Sequence, residues 1–410
     1  MNLDPVALAV PFFFVAIFFE VRAARKRGLK LYRFADAITD LSCGTTSELV
    51  RLFLNVLALA AYAWVHRSFA LVHPPVWAQW LIALIGLDFF YYWFHRLSHE
   101  VNSLWAMHVV HHQSQDYNLA VALRQSWFQG FAATPFYFPL ALLGVSPEVF
   151  ALNAAVSLLY QFGLHTQVIE KLPRWFEAVF NTPSHHRVHH GINPEYIDRN
   201  HAGIFIVWDK MFGTFEPEGK APVYGTVKVF ESWNPVWANF EYWKEIRERM
   251  KKVPRLWQKA WVWLANPAWL PKELGGWQHA PPVDAEKFAK WEATFPNALK
   301  PYINFQFVLV AAMAGVVFNF HSRFPWSALA VAVVLGTLTT VTWGGLFEGK
   351  SWARPAEWAR HGLLLLLGVY LLVAGTVAPV WILAGLLVAA ASGFWFWKIT
   401  GKQNFKKSRG

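Results

Sequence analysis

The chain has a single cysteine, Cys43, among 410 residues. That excludes an intramolecular disulfide framework and any zinc site built on several thiolates. Charge is scarce too: Asp, Glu, Lys and Arg make up 15% of the chain, against a hydrophobic share of 55%. A water-soluble chain of this length is ordinarily more charged and less apolar. No basic stripe with a nucleic-acid-binding motif occurs, so no nucleic-acid partner is expected. The formal net charge of +11 is read instead as cytoplasmic flanks and contact with anionic lipid. There is no H-E-x-x-H, the commonest zinc-hydrolase signature. Tandem repeats and low-complexity segments are also missing.

Long apolar runs are what the chain does have. The first, 5–21, is followed by the basic "RAARKRG". In a signal peptide the charges come before the apolar run, so a retained span is expected. Further runs cover about 49–65 and 76–94. A hydrophobic hairpin follows, about 128–143 and 147–164, split by "GVSP". A polar, Trp-rich stretch occupies about 166–300, and four runs close the chain at about 303–320, 326–347, 362–376 and 379–397. Each approaches the roughly 20 apolar residues of a spanning helix. The hairpin is the weakest of them; dipping into the bilayer without crossing it is its alternative. With "RAARKRG" inside, the polar insert, "EGKSWARPAEWAR" and the tail "KITGKQNFKKSRG" all fall on that same face. The expected architecture is an all-α, polytopic transmembrane helical bundle of about nine spans or membrane-inserted helices, with the N-terminus outside. A cytosolic helical cap would carry a histidine-rich two-metal site. The expected organisation is N-terminal transmembrane helices over 1–75, a catalytic segment with the cap over 76–300, and a C-terminal transmembrane domain over 301–410. Within that stretch, the part from about Trp233 to Trp291 mixes aromatics with Lys and Arg, as helices lying on a membrane surface do; a cytosolic packing layer fits it as well.

Histidine is concentrated. Nine of the 16 lie in two short segments: His95, His99, His108, His111 and His112, then His185, His186, His189 and His190. Residues three and four apart share a helix face. His95 and His99 are so spaced, as are His108 with His111 and His112, and His186 with His189 and His190. Imidazole is a ligand for iron, zinc and copper, and this set exceeds what one tetrahedral zinc uses. Two metal ions sharing the set is the economical reading. The boxes fall at the expected cytosolic ends of spans, where a lipid could enter from the bilayer. His165 ends a span on the same face and is a further candidate ligand. His185 and His186 are adjacent and cannot face one point on a regular helix. His66, His73, His279, His321 and His361 read as surface or satisfied core residues; His201 is open.

Zinc has no redox chemistry, whereas attack on an unactivated C–H bond requires oxygen activated at a redox metal. A haem takes two axial ligands, for which triplets on one face are wasteful. A zinc transporter would place its ligands at mid-membrane on several spans.

The order H-x3-H, H-x2-HH, H-x2-HH resembles the fatty acid hydroxylase/sterol desaturase superfamily of membrane di-iron oxygenases, over about 88–215. The residues that carry the resemblance are "FHRLSHEVNSLWAMHVVHHQSQDYNLAVALRQS" and "SHHRVHHGINPEYIDRNHAGIFIVWDKMFGTFEPE". Within the superfamily the text around the boxes is most similar to the alkylglycerol monooxygenases. The resemblance implies an integral, multi-pass membrane enzyme with its histidine site facing the cytoplasm. It would be an O2-dependent di-iron lipid monooxygenase that hydroxylates the ether-linked carbon of an alkylglycerol, which collapses to aldehyde and glycerol. Fatty acid hydroxylation or sterol desaturation is the alternative within the same superfamily. The implied cofactors are two iron ions and O2, with tetrahydrobiopterin or a donor protein supplying electrons; the implied partner is a lipid from the bilayer. Carried over by position, His95, His99, His108, His111, His112, His186, His189 and His190 are iron ligands. His185 belongs to the same doubled motif, and His165 is similar to a mid-chain histidine of the superfamily. Glu100 matches the family's "HE" and, with Asn118, is an implied catalytic residue. Asp116 and Asn118 lie about one turn beyond the second box, where a helix cap is the competing reading. His201 stands where relatives carry an aromatic residue.

Overall fold

The computed structural model describes residues 5–375 and 377–401. Thr376 and most of the basic tail lie outside the described residues. Among the described residues the chain is helical, with no strand and only two isolated bridges, Phe180 to Phe205 and Gly191 to Tyr224. Two compact units divide it: Met1–Glu231 with Trp237–Trp291, and Ser232–Val236 with Glu292–Gly410.

The first unit opens with α1 (Pro5–Lys26), α2 (Phe34–Phe69) and α3 (Val76–Glu100). At about 1.5 Å per residue, the 36 residues of α2 extend about 54 Å, well beyond the roughly 30 Å of a hydrocarbon core. The surplus has a cause in the sequence. The apolar run expected at 49–65 fills only the later part of α2; its first turns bury Asp36, Thr39, Asp40, Ser42, Thr46 and Ser47. Thr39 and Thr46 donate to carbonyls four residues back, at 2.7 and 2.9 Å, so those hydroxyls stay satisfied inside a packed helix. The third helix changes character in the same way. Val76, Trp77, Leu81 and Ile85 are exposed near its start, whereas Asp88, Tyr92, His95, Ser98 and His99 are buried near its end.

The expected hairpin is present but its arms differ. Pro135 and Pro139 break the first arm into Gln129–Ala133, Thr134–Tyr137 and Phe138–Leu142, because proline lacks the donor that a continuous helix needs. Gly144 makes the turn at φ +75°, where a Cβ would sit 2.1 Å from the Val72 carbonyl oxygen. The second arm is α4 (Pro147–Phe162), capped by the Ser146 hydroxyl, which accepts from Val149 N at 3.3 Å. Tyr62, Leu87, Leu140, Val145 and Val149 form the apolar core that joins α2, α3 and the hairpin.

Beyond it come α5 (Pro183–His189), α6 (Pro235–Lys252) and α7 (Leu256–Leu264). Tyr242 and Ile246 of α6 and Val262 of α7 pack on Ala106 and Val109, bracing the segment that carries the second histidine box. The Tyr242 hydroxyl donates to Asn102 at 2.6 Å. The Trp-rich stretch therefore contributes packing to the first unit, while Trp257 and Trp261 stay exposed.

The second unit holds α8 (Leu299–Phe320), α9 (Trp326–Phe347), α10 (Ala353–Ala374) and α11 (Pro379–Gly401). Among the described residues five helices are long and apolar enough to cross a membrane: α2 and these four. The runs expected at 5–21, 76–94 and 128–164 are not among those five.

Candidate metal centre

The three boxes and His165 converge in the first unit. His95 and His99, four residues apart, project from the last turns of α3. The second box is not on an α-helix. His108 precedes a tight 3₁₀ turn, Val109–His112, that carries His111 and His112. The third box is α5, a helix of seven residues started by Thr182 and Pro183, with His190 at its C-terminal cap. His165 follows the end of α4.

Nine imidazoles fall into two buried groups. His95, His99, His108, His112 and His189 form one; His111, His165, His186 and His190 form the other. In each group one ring nitrogen per residue lies within 4.8 Å of all the others. The doubled histidines are divided between the groups: His112 and His189 go to the first, His111 and His190 to the second. Neighbours on a helix point about 100° apart, so an "HH" pair naturally serves two centres. The His112 and His190 rings stack across the boundary at 4.3 Å.

Backbone carbonyls fix the tautomers. Nδ1 donates to a carbonyl oxygen in His95 (His201 O, 2.7 Å), His111 (Arg124 O, 3.0 Å), His165 (Gln161 O, 2.8 Å) and His189 (Arg199 O, 2.9 Å). A carbonyl only accepts, so Nδ1 carries the proton and Nε2 presents a lone pair. His108 Nδ1 is held likewise by Gln129 Oε1 at 3.0 Å. Yet His95 Nε2 lies 3.0 Å from His108 Nε2, and His111 Nε2 lies 3.1 Å from His165 Nε2. Burial pushes the His108 ring down to about 3 and His111 to about 4, so neither is an imidazolium. Two lone pairs this close repel each other, and a cation between them would relieve that repulsion. Nε2 of His99, His189 and His190 is also buried without a protein partner. The donor set fits a pair of metal ions.

Carboxylates hold the loop that supplies two of those carbonyls. Asp209 accepts from the backbone of His201 and Ala202, both at 2.8 Å, and from the Thr214 hydroxyl at 2.7 Å. Asp88 accepts from Ile204 at 2.6 Å, Phe205 at 2.9 Å and the Trp208 indole at 3.0 Å. Buried Arg124 anchors the second box, donating to Val110 O at 2.6 Å, Gln113 at 2.9 Å and Asp40 at 3.1 Å. Arg187 ties the third box to the segment after His165, donating to Thr166 O, Ile169 O and Glu218. Sequence reasoning did not reach these four residues, although "ALRQS" and "WDKMFGTF" contain two of them.

Other candidates lie elsewhere. His185 is in neither group, and its ring lies against Phe215. The Glu100 carboxylate pairs with Arg96 at 2.9 Å. Asn118 caps Leu119–Ala122, accepting from Ala120 N at 2.9 Å and donating to Leu31 O at 2.7 Å. Asp116 pairs with Arg33 and Lys290. The His201 ring lies beside His99 and His189, with centroids 5.1 and 5.6 Å away, outside both groups.

A helical chain with five apolar helices long enough to cross a membrane and two adjoining buried imidazole cages belongs to the histidine-box class of membrane proteins. Comparison with known proteins narrows this. Residues 80–214 match the family described as Fatty acid hydroxylase. The chain is 37% identical to human alkylglycerol monooxygenase over 370 residues, covering 89% of this chain and 82% of the relative. It is 40% identical to the zebrafish (Danio rerio) alkylglycerol monooxygenase, covering 81% and 75% respectively. An ornithine lipid hydroxylase of Rhizobium tropici is 30% identical over 142 residues, 34% of this chain and 43% of that protein. No solved structure matches. The chain belongs to the alkylglycerol monooxygenase family, within the fatty acid hydroxylases.

Proposed function

We propose that this protein is an O2-dependent lipid monooxygenase that hydroxylates the ether-linked carbon of alkylglycerols. The observation that carries the reading is the pair of imidazole groups with converging lone pairs, in a chain similar over most of its length to alkylglycerol monooxygenases. The proposed ligands are His95, His99, His108, His112 and His189 on one ion, and His111, His165, His186 and His190 on the other. Five donors in one group exceed the four of tetrahedral zinc. Neighbouring donors of a six-coordinate ion with bonds of about 2.1 Å lie about 3.0 Å apart, against about 3.4 Å in a tetrahedron. The closest nitrogens here are 3.0 and 3.1 Å apart, within the span that donors of one metal ion occupy. Two iron ions bound there would supply the stepwise electron transfer that O2 chemistry requires.

The chain's own part is to hold, orient and exclude. Nδ1–H donors fix ring orientation and raise the basicity of Nε2. Asp88 and Asp209 keep the carbonyl-bearing loop in place. Burial of every ring keeps bulk water from the reacting carbon. In the overall reaction one oxygen atom enters the C–H bond as hydroxyl. The other leaves as water, with two electrons and two protons from the donor. The hemiacetal then loses its C–O bond, giving an aldehyde and glycerol. The donor is a reduced pterin of the tetrahydrobiopterin type; an electron-donor protein is the competing source.

In this reading the chain spans the membrane about nine times, with the histidine centre on the cytoplasmic face. The exposed Phe12, Phe18 and Phe19 of α1 and Leu152 and Val156 of α4 support membrane insertion of helices beyond the five. The test is an activity panel in membranes with alkylglycerol, fatty acid and sterol, each with and without tetrahydrobiopterin. Aldehyde from alkylglycerol that depends on the pterin is expected. Turnover of sterol or fatty acid alone moves the protein to the alternative within its superfamily.

A further inference from the structure

The four helices of the second unit line a half-open cavity of about 390 Å³. Its wall is largely apolar, including Leu309, Leu335, Leu364, Leu371, Trp381 and Leu386. One part is not. Gln306, Arg360, His361 and Ser392 also line it, in helices otherwise apolar enough to span a bilayer. Ionisable groups in such helices mark a functional site by default.

The polar groups form one buried network. Arg360 donates to Glu357 at 2.9 Å and to Gln306 Oε1 at 3.0 Å. The Tyr302 hydroxyl donates to the Glu357 carboxylate. His361 Nε2 lies 2.8 Å from that same hydroxyl oxygen and 3.3 Å from the Arg360 guanidinium. The charges of Glu357 and Arg360 cancel. Three atoms on the cavity wall are buried with no hydrogen-bond partner: Gln306 Nε2, His361 Nδ1 and Ser392 Oγ. An unpaired buried amide or hydroxyl is costly, and a serine inside a helix usually bonds back to its own backbone. Gly385 also lines the cavity, and a Cβ built on it meets nothing within 4 Å.

We propose that the C-terminal helices bind an uncharged single-chain lipid with a hydroxyl-bearing head, its oxygens paired with Gln306 and Ser392 and its alkyl chain filling the apolar part of the cavity. A charged head is disfavoured, because the network offers it no unpaired countercharge. The inference does not rest on the activity proposed above, since its readout is binding.

The test uses the full chain in lipid nanodiscs with a photoactivatable, alkyne-tagged long-chain fatty alcohol, and the fatty acid of the same length for comparison. Labelled peptides are mapped by mass spectrometry. The alcohol is expected to label the α10 and α11 segments that line the cavity. Gly385→Leu, which fills the space, should reduce that label about tenfold, as should Gln306→Leu combined with Ser392→Ala. Gly385→Ala, adding one methyl to open space, should keep most of it and shows that the helix tolerates substitution. Label that persists undiminished in Gly385→Leu, no label in these segments, or preference for the acid would each overturn the proposal.

Discussion

The Nε2 atoms of His111 and His165 face each other at 3.1 Å, while each ring donates its Nδ1 proton to a backbone carbonyl. Neither Nε2 has a proton to share, so the contact fits a metal position and not a hydrogen bond. The two residues are 54 apart in sequence, and no spacing rule links them. A shared cation does.

His185 and His186 are neighbours with different surroundings. His186→Ala should lower activity at least about a hundredfold and remove metal from its group. His185→Ala loses a contact with Phe215 and an interaction with the Phe180 backbone, touches neither imidazole group, and should keep both metals, with activity within about tenfold of the parent. Metal content of the two purified variants checks this; equal losses contradict it.

The His201 ring is buried with both nitrogens unpartnered, a costly arrangement. His201→Phe removes those nitrogens and keeps an aromatic ring. Its melting temperature should be equal to or above the parent's, with the metal content unchanged. Loss of one metal ion would instead make His201 a ligand.

Arg124 is the counter-charge of buried Asp40 and the anchor of the 3₁₀ turn. Arg124→Met should cost about 3–5 kcal/mol of stability, because it leaves a buried carboxylate uncompensated. Adding Asp40→Leu should recover part of that loss. Thermal unfolding of the single and double variants measures the coupling.

Acid should destabilise the metal-free protein. Burial lowers His108 to about 3 and His111 to about 4, from an ordinary 6.5. Between those values and 6.5 the unfolded chain takes up protons that the native chain refuses. The stability is therefore complete above about pH 6.5 and declines as pH falls. A melting temperature that is level from pH 7.5 to about 6.5 and falls from there to pH 5 is expected; a flat profile throughout contradicts it.

The boxes were legible because three- and four-residue spacings need no tertiary knowledge, and His165 because it ends a span on the same face. The split of "HH" into two groups follows from helical geometry, but which ring joins which group depends on contacts 13 to 54 residues apart. The second box illustrates a further limit: spacing that suits an α-helix is met by a 3₁₀ turn, which also brings His108 and His112 together. Asp88, Asp209, Arg124 and Arg187 escaped notice because their partners are mostly backbone atoms, which leave no trace in composition. The start of α2 at Phe34 was hidden for a related reason. Its first turns bury polar residues that an apolar-run criterion skips. His361 read as an ordinary core histidine, and its network with Tyr302 and Glu357 joins residues of different helices.

The most direct test of the central claim is metal stoichiometry. The purified full chain is loaded with ferrous iron without oxygen, freed of excess and analysed for iron and protein. The account predicts about two iron ions per chain, with no haem absorption. One iron per chain, none, or a Soret band would contradict it.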